Sequence, residues 1–562
     1  MSTIRRLYFY GVAFAALVVA AWGATTMLGA VIDRLLPNKL LVGDLATPFS
    51  LGLALLIPSV PLWLVHWRAT QRYVARGQED VGSTPRKLYL NAVLFISAVV
   101  AFGAVLGMFQ TILGAQDAPL SGAPLGLLLV WGSIWSYHWR LEGAEGQPSP
   151  DSKTLRSWYV YVTSGYSLGF MVTGLGIILS VLLTGIYRAI AHPIVLGDSG
   201  QLWGQIMRMG VSMAMVGGLW WGFHWLRAAR GDRESDLRQV YLYLLAVLGG
   251  IVTVLSMLGV VIYQTLRFVL GGVSIPAAAH FEFLTTTVPP LLVGLGLLAY
   301  HWRVAQEEGE GMPWRLLGAS RASRYVMAGL GLASFSAGMA TLVYVLLSFL
   351  DSLRPQHFLY VGGWWQGQVS AAIAMLVVGM PVWWYYWIAA QASAVRGGVQ
   401  ERAVLPRRLF LYLVLAAAML GILGSLSFVL YQLLSNTIRG TLSLDVLRAS
   451  RWGIGIVAAA GFFLSYYWGI LREDQRAGAE VAIRRKNVMV LVGDEAAGIV
   501  PRLEEVLGVR PKVLRNLAGD QQPVAVTDEQ MRELAEQVAA APGSQVMLVV
   551  GEGVVKVYPY RE

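Results

Sequence analysis

Six dipeptides hold the side chains in this chain best suited to chemistry: His66-Trp67, His138-Trp139, His224-Trp225, His301-Trp302, Tyr386-Trp387 and Tyr467-Trp468. Four of the seven histidines fall in them, spaced at a period of roughly 80 residues. Imidazoles at a fixed place in a repeat are candidate ligands for haem or a metal ion. Two features point elsewhere. The last two copies carry Tyr386 and Tyr467 instead, and each histidine lies within a few residues of an arginine where an apolar stretch ends. A haem ligand belongs inside the apolar span, facing a second imidazole. Rings at the end of a span, with arginine reaching for phosphate, make an aromatic belt at headgroup depth. All twelve residues are therefore read as interfacial anchors, with no catalytic residue, no metal and no cofactor.

A second motif opens each repeat: Arg5-Arg6-Leu7-Tyr8, Arg86-Lys87-Leu88-Tyr89, Arg156-Ser157-Trp158-Tyr159, Arg238-Gln239-Val240-Tyr241, Arg324-Tyr325 and Arg407-Arg408-Leu409-Phe410. An arginine and a ring at a helix start also suit an interface. Packing of each start beside the His-Trp of its own or the next repeat predicts a recurring contact of arginine over an aromatic face.

The elements between the motifs are apolar and long. Hydrophobic residues make up 56% of the 562 and charged ones 14%, against roughly 25% charged in an ordinary soluble domain. Twelve helices are predicted, at 7–32, 48–67, 88–114, 124–139, 158–190, 209–227, 239–270, 285–303, 325–350, 370–394, 409–436 and 452–471. The runs are apolar on all sides, which suits membrane helices and excludes the alternating pattern of a barrel strand. The first run extends to about Val31, too long for the core of a cleaved signal peptide, so it is read as a retained span. Six hairpins result. The loops between hairpins, together with the N-terminal stretch, hold more than twice as many Lys and Arg as the loops within hairpins. The positive-inside rule then puts both termini in the cytoplasm.

Net charge is +10 and cysteine is absent. The second fact excludes disulfides and thiolate chemistry. The positive charge sits in short loops beside apolar runs, which suits anionic lipid and not nucleic acid. The spans carry essentially no ionisable residue away from their ends, which argues against pumps and ion-coupled carriers. Gln110, Gln264 and Gln432 recur near the outer end of the first helix in repeats two, four and six, and are read as hydrogen-bonding between helices. Their alternation hints at three blocks of four helices.

After Leu471 the chain turns polar. A basic linker, 476–487, precedes a small α/β module, 488–562. Strands are predicted at Val488–Val492, Lys512–Leu517, Val546–Val550 and Val554–Tyr558, with the last two as a hairpin around Gly551-Glu552-Gly553. Helices are predicted at Glu495–Leu507 and Thr527–Ala540, the latter capped by Thr527 or Asp528. The order is βαβαββ. Val492-Gly493-Asp494 lacks a nucleotide-binding pattern, and Asp494 and Glu495 read as cap and first-turn acids.

A repeat that begins Arg-x-x-Tyr-x-Tyr and encloses apolar helices resembles the bacterial membrane family DUF5671, a domain of unknown function. Arg5-Tyr8-Tyr10, Arg156-Tyr159-Tyr161 and Arg238-Tyr241-Tyr243 carry the pattern in full. Asn91 replaces the second tyrosine in repeat two, Phe410 replaces the first in repeat six, and repeat five is degenerate. The resemblance covers residues 4–475 as tandem four-helix blocks. It implies a prokaryotic inner-membrane protein and supplies no activity. The expected domains are 1–155, 156–320 and 321–475 for the blocks, followed by the linker and the module. The expected function is a non-enzymatic membrane scaffold or interaction protein in the lipid bilayer, with a protein partner at the C-terminal module. The alternatives are a route for a neutral or apolar solute, and an assembly or sensory factor acting through that module.

Overall fold

The structure is a computed structural model that describes residues 3–36, 45–75, 81–116, 119–147, 149–191, 200–233, 235–309, 318–352, 364–441, 443, 445–484, 486–492, 499–507, 510–515, 527–551 and 554–560. Twelve long helical segments account for most of them: α1 (Thr3–Leu35), α2 (Ala46–Val74), α3 (Thr84–Ile112), α4 (Gly122–Glu145), α5 (Pro150–Ala191) and α6 (Gly200–Trp221). These are followed by α7 (Asp236–Val269), α8 (Ala277–Glu308), α9 (Gly318–Ser352), α10 (Trp364–Arg402), α11 (Leu405–Ile438) and α12 (Asp445–Arg484). Among the described residues, ten of them are long and apolar enough to cross a membrane. The expected count of twelve is thus reached by ten on length and composition. α4 falls outside that set because Gly, Ser, Trp, Tyr and His replace much of its aliphatic content, and α6 because Gly, Trp, Gln and Arg208 do.

The helices overrun the apolar windows that predict them. α5 begins at Pro150 and α12 runs on to Arg484. Hydropathy marks the part of a helix that suits lipid, whereas good helix formers such as Glu, Gln, Arg and Ala carry it further. Residues 476–484, expected as linker, are therefore helical. Other helices are shaped by single residues. α2 contains Pro58 and Pro61, α8 contains Pro289 and Pro290, and α10 contains Pro381. Gly398, at φ 56°, breaks α10 near its end, and Gly146, at φ 67°, ends α4. α6 continues as a π-helical turn, Gly222–Ala228, and α7 contains another, Val240–Val247.

Two compact units emerge. The first holds α1 to α8 with residues 362–370, and the second holds α9, the rest of α10, α11, α12 and the C-terminal module. In the first, α1 packs on α2 and α4, α3 on α4, α5 on α6 and α8, and α7 on α8. Glycines permit the closest crossings. A Cβ on Gly217 of α6 would strike the backbone of Ser167 and Met171 on α5, as expected of helices that associate in lipid through small residues. In the second unit, Leu332, Trp383, Leu411 and Phe463 bring α9, α10, α11 and α12 into one buried cluster. The segments α1–α4, α5–α8 and α9–α12 are called the first, second and third blocks.

The module contains β1 (Asn487–Val492), α13 (Val500–Leu507), β2 (Lys512–Arg515), α14 (Asp528–Ala540), β3 (Gln545–Gly551) and β4 (Val554–Pro559). The sheet order is β2-β1-β3-β4, parallel across the first three strands and antiparallel at the β3–β4 hairpin. The expected βαβαββ order is present. Residues 493–498, 516–517 and 552–553, which carry parts of the expected helix, strand and hairpin turn, lie outside the described residues. Val488, Val490, Leu503, Met531, Val538 and Leu548 fill its core. Thr527 and Gln530 form a reciprocal capping box on α14. At the far end of α14, Lys486 Nζ donates to the carbonyls of Val538, Ala539 and Ala541, and its charge suits the negative pole of the helix. The end of α12 also packs on α13 and α14.

Candidate functional site

Each block holds an arginine–carboxylate cage at one end, where its odd helices begin and its even helices finish. In the first block, Arg86 starts α3 and is fully buried. Its Nε donates to both carboxylate oxygens of Glu145 at 3.0 and 3.1 Å, and its Nη2 pairs with the same acid. Nη1 donates to the Tyr10 hydroxyl at 2.9 Å, and the ring of Trp67 lies 5.6 Å from Cζ. Gln71 Oε1 sits 3.5 Å from Nη2, and Lys87 Nζ adds a contact to Glu145 at 3.2 Å. Four helices thus supply one cage: Tyr10 from α1, Trp67 and Gln71 from α2, Arg86 from α3 and Glu145 from α4.

The other blocks repeat it. Arg238 of α7 donates from Nε and Nη2 to Glu308 at 2.8 and 2.6 Å, lies 4.5 Å from the Trp225 ring and neighbours Tyr161. Where the first block has Gln71, the second has Ala229, and its backbone carbonyl accepts Arg238 Nη1 at 2.9 Å. The π turn explains the substitution, because a widened turn ends with carbonyls outside the regular ladder. Arg407 of α11 donates to Asp474 at 2.6 and 3.1 Å and to Gln391 at 2.8 Å, with Trp387 at 5.7 Å and Tyr325 beside it. Among the described residues its Nη1 has no well-formed hydrogen bond. A fork of two bonds to one carboxylate is the strongest arrangement arginine makes. It is also what permits a guanidinium to be buried.

Beside each cage runs a bridge of neutral groups. His138, His224 and His301 each place Nδ1 2.8–3.0 Å from the carbonyl four residues back. A carbonyl only accepts, so Nδ1 carries the hydrogen and Nε2 offers a lone pair. The hydroxyls of Tyr89, Tyr159 and Tyr241 lie 3.3, 2.9 and 3.4 Å from those Nε2 atoms and donate to them. Each hydroxyl in turn accepts from an indole of the preceding hairpin: Trp63 at 3.5 Å, Trp135 at 2.9 Å and Trp221 at 3.0 Å. The order Trp, Tyr, His therefore stitches hairpin to hairpin. Each of these three imidazoles uses its lone pair on tyrosine, which is the position a metal would need. Among the described residues, no group of three or more His, Cys, Asp or Glu could hold a metal ion.

The third block has Phe410 where tyrosine would stand and Tyr467 where histidine would stand. The phenol moves with the exchange, and Tyr467 accepts from Trp383 Nε1 at 2.7 Å. A further bond recurs only with the double period. Trp67, Trp225 and Trp387 donate to Tyr137, Tyr300 and Tyr466 at 3.0, 3.0 and 2.7 Å. Trp139 instead meets the ring of Phe223, centroids 5.2 Å apart.

The twelve residues expected as interfacial anchors differ in how far neighbouring helices cover them. Eight of them (His66, Trp67, His138, His224, Trp225, His301, Trp387 and Tyr467) are buried against neighbouring helices. Trp139 and Tyr386 are half-buried. Only Trp302 and Trp468, 43% and 41% exposed, present their rings outward. An arginine does lie over an aromatic face, but over the Trp of the preceding repeat and not of its own or the next: Arg86, Arg156, Arg238 and Arg407 lie over Trp67, Trp139, Trp225 and Trp387. These four starts thus pack on the preceding repeat, through groups the sequence pointed to as interfacial anchors. The expected interhelical glutamines are not brought together. Gln110 bonds Gln116, while Gln264 and Gln432 use main-chain oxygens toward His280 and Asn436.

The acids of the cages are what sequence reasoning missed. Glu145, Glu308 and Asp474 each lie seven residues beyond the histidine or tyrosine of an even hairpin. The same position in the odd hairpins is Tyr73, Gly231 and Ser393. That alternation was the available signal.

A family model described as a domain of unknown function, DUF5671, matches residues 6–133, 166–293 and 321–462. No curated protein and no solved structure matches.

Proposed function

The chain belongs to the DUF5671 family, with three tandem copies over most of its length, and from that premise we propose that it is a non-enzymatic scaffold of the inner membrane. In this reading all twelve helices span, as six hairpins with both termini and the C-terminal module in the cytoplasm. The charge bias of the loops supports that orientation. One observation carries the reading. The charged groups of each cage are spent on one another, with Arg86, Arg238 and Arg407 held by acids of their own blocks. Groups so engaged lock helices together and offer little to a substrate. The partners are lipid around the bundle and a cytosolic protein at the module. No cofactor is involved.

A second reading, passage of a neutral solute, draws support from a cavity of about 580 Å³ in the second block. Reconstitution separates the two. Vesicles containing the full chain should leak glycerol and small neutral amides at the rate of protein-free vesicles. Saturable flux above that rate overturns the scaffold reading. Orientation is tested by single-cysteine labelling, which the cysteine-free sequence makes clean. Thr441→Cys should react only from outside the cell, and Gln530→Cys only after permeabilisation.

A further inference from the structure

The cavity in the second block lies midway along α5, α7 and α8, far from the cage. Gly176 shows that it is a real void. This residue is buried, yet a Cβ built on it would meet no atom within 4 Å. A buried glycine in a packed bundle would ordinarily face a neighbour, as Gly174 faces Ala214 on the other side of the same helix. The volume falls in the range of small-molecule sites, roughly 300–1,000 Å³. No ionisable side chain lines it. Thr173 and Thr286 are exposed at its edge.

Two of the hydroxyls in the wall are committed to main-chain oxygens. Thr253 Oγ1 donates its proton to Gly249 O at 2.8 Å, and Thr286 Oγ1 donates to Phe283 O at 3.0 Å. Both hydroxyls therefore present only lone pairs to anything else. Pro290 has no N–H, so the Thr286 carbonyl cannot receive the usual helical bond from it. The wall's remaining side-chain polar groups, Thr173 and Ser180, are neutral hydroxyls, so Thr253, Thr286 and the Thr286 carbonyl stand as fixed acceptors in a wall without charge. In a membrane interior such acceptors gain most from a ligand that brings its own donor without a charge.

We propose that this cavity binds an uncharged apolar molecule headed by a hydroxyl, its chain lying among Ile177, Val181 and Val293 and its proton donated to Thr253 or Thr286. The site goes beyond the scaffold reading and does not depend on it. It belongs to the second block and to no cage.

Photolabelling of the full chain in nanodiscs tests it, using a medium-chain alkanol that carries a diazirine. Labels should map to residues 172–181 and 286–297. Gly176→Leu places its Cβ in open space and its remaining side chain in the cavity, and should reduce labelling about tenfold, equivalent to roughly 1.4 kcal/mol. Gly169→Leu, at an exposed glycine outside the cavity with equally open surroundings, should label like the parent. Thr253→Val keeps the shape and removes an acceptor, so it should narrow the preference for the alcohol over its methyl ether. Equal labelling of the parent and Gly176→Leu overturns the site. Equal labelling by the alcohol, its methyl ether and a matching alkylammonium overturns the ligand chemistry.

Discussion

The blocks α5–α8 and α9–α12 build the same junction from different side chains. In the earlier block, Trp221 of α6 donates to Tyr241, which donates to His301, while Trp135 of the preceding block donates to Tyr159, which donates to His224. In the later one, Trp383 donates to Tyr467, and Phe410 closes the space with its ring. What the two share is an indole N–H that must be satisfied where water is scarce. The lesson is that the bundle holds on to a hydroxyl at that point, and that either of two helices can supply it. The cages differ in a second way. Glu308 is held by Arg238, whereas Asp474 has both Arg407 and, at 3.6 Å, Arg402.

That contrast is most exposed by removing the arginines. Arg238→Met strands the buried Glu308 and should lower stability in detergent by about 3–5 kcal/mol. Arg407→Met leaves Asp474 with Arg402 and should lose clearly less. Equal shifts in thermal midpoint for the two variants would erase the distinction. Next in size is Tyr159→Phe, which leaves His224 Nε2 and Trp135 Nε1 unpaired together and should lose about 1–3 kcal/mol. The position that matches Tyr241 in the third block is already a phenylalanine, Phe410. Converting that block to the earlier pattern is the sharper test. Phe410→Tyr and Tyr467→His should each be unfavourable alone and compensate when combined, with a coupling of about 0.5–3 kcal/mol in a double-mutant cycle. Simple additivity would mean that the phenol is not what is exchanged. The smallest effect concerns Trp139, which faces Phe223 where its counterparts face tyrosine. Phe223→Tyr should raise the thermal midpoint slightly, by the roughly 0.6 kcal/mol typical of an interhelical bond in lipid. No gain would show that the ring spacing, and not the missing hydroxyl, distinguishes that hairpin.

Much of the frame was legible in the residues. The six His-Trp and Tyr-Trp endings located the even helices, and the Arg-x-x-Tyr starts located the odd ones. Both rest on local patterns that a membrane imposes strongly. The double period was visible in Gln110, Gln264 and Gln432, although those residues are not brought together. The cages were hidden for a physical reason. Rules for single helices treat Arg86 or His138 at a span end as facing lipid headgroups, and only packing among four helices shows that Glu145 reaches Arg86 first. The helix ends were hidden as well, since nothing in the hydropathy of α12 distinguishes a helix that stops at Leu471 from one that continues to Arg484.

That continuation has a mechanical consequence. α12 is 40 residues long, about 60 Å at 1.5 Å per residue. Asp474, ten residues before its end, ties it to Arg407, and its end packs on α13 and α14, with Lys486 clamped just beyond. A rod gripped at both places transmits torque. Any twist of the last hairpin would turn the module as a single lever arm, and any load on the module would be felt first at the Arg407–Asp474 pair.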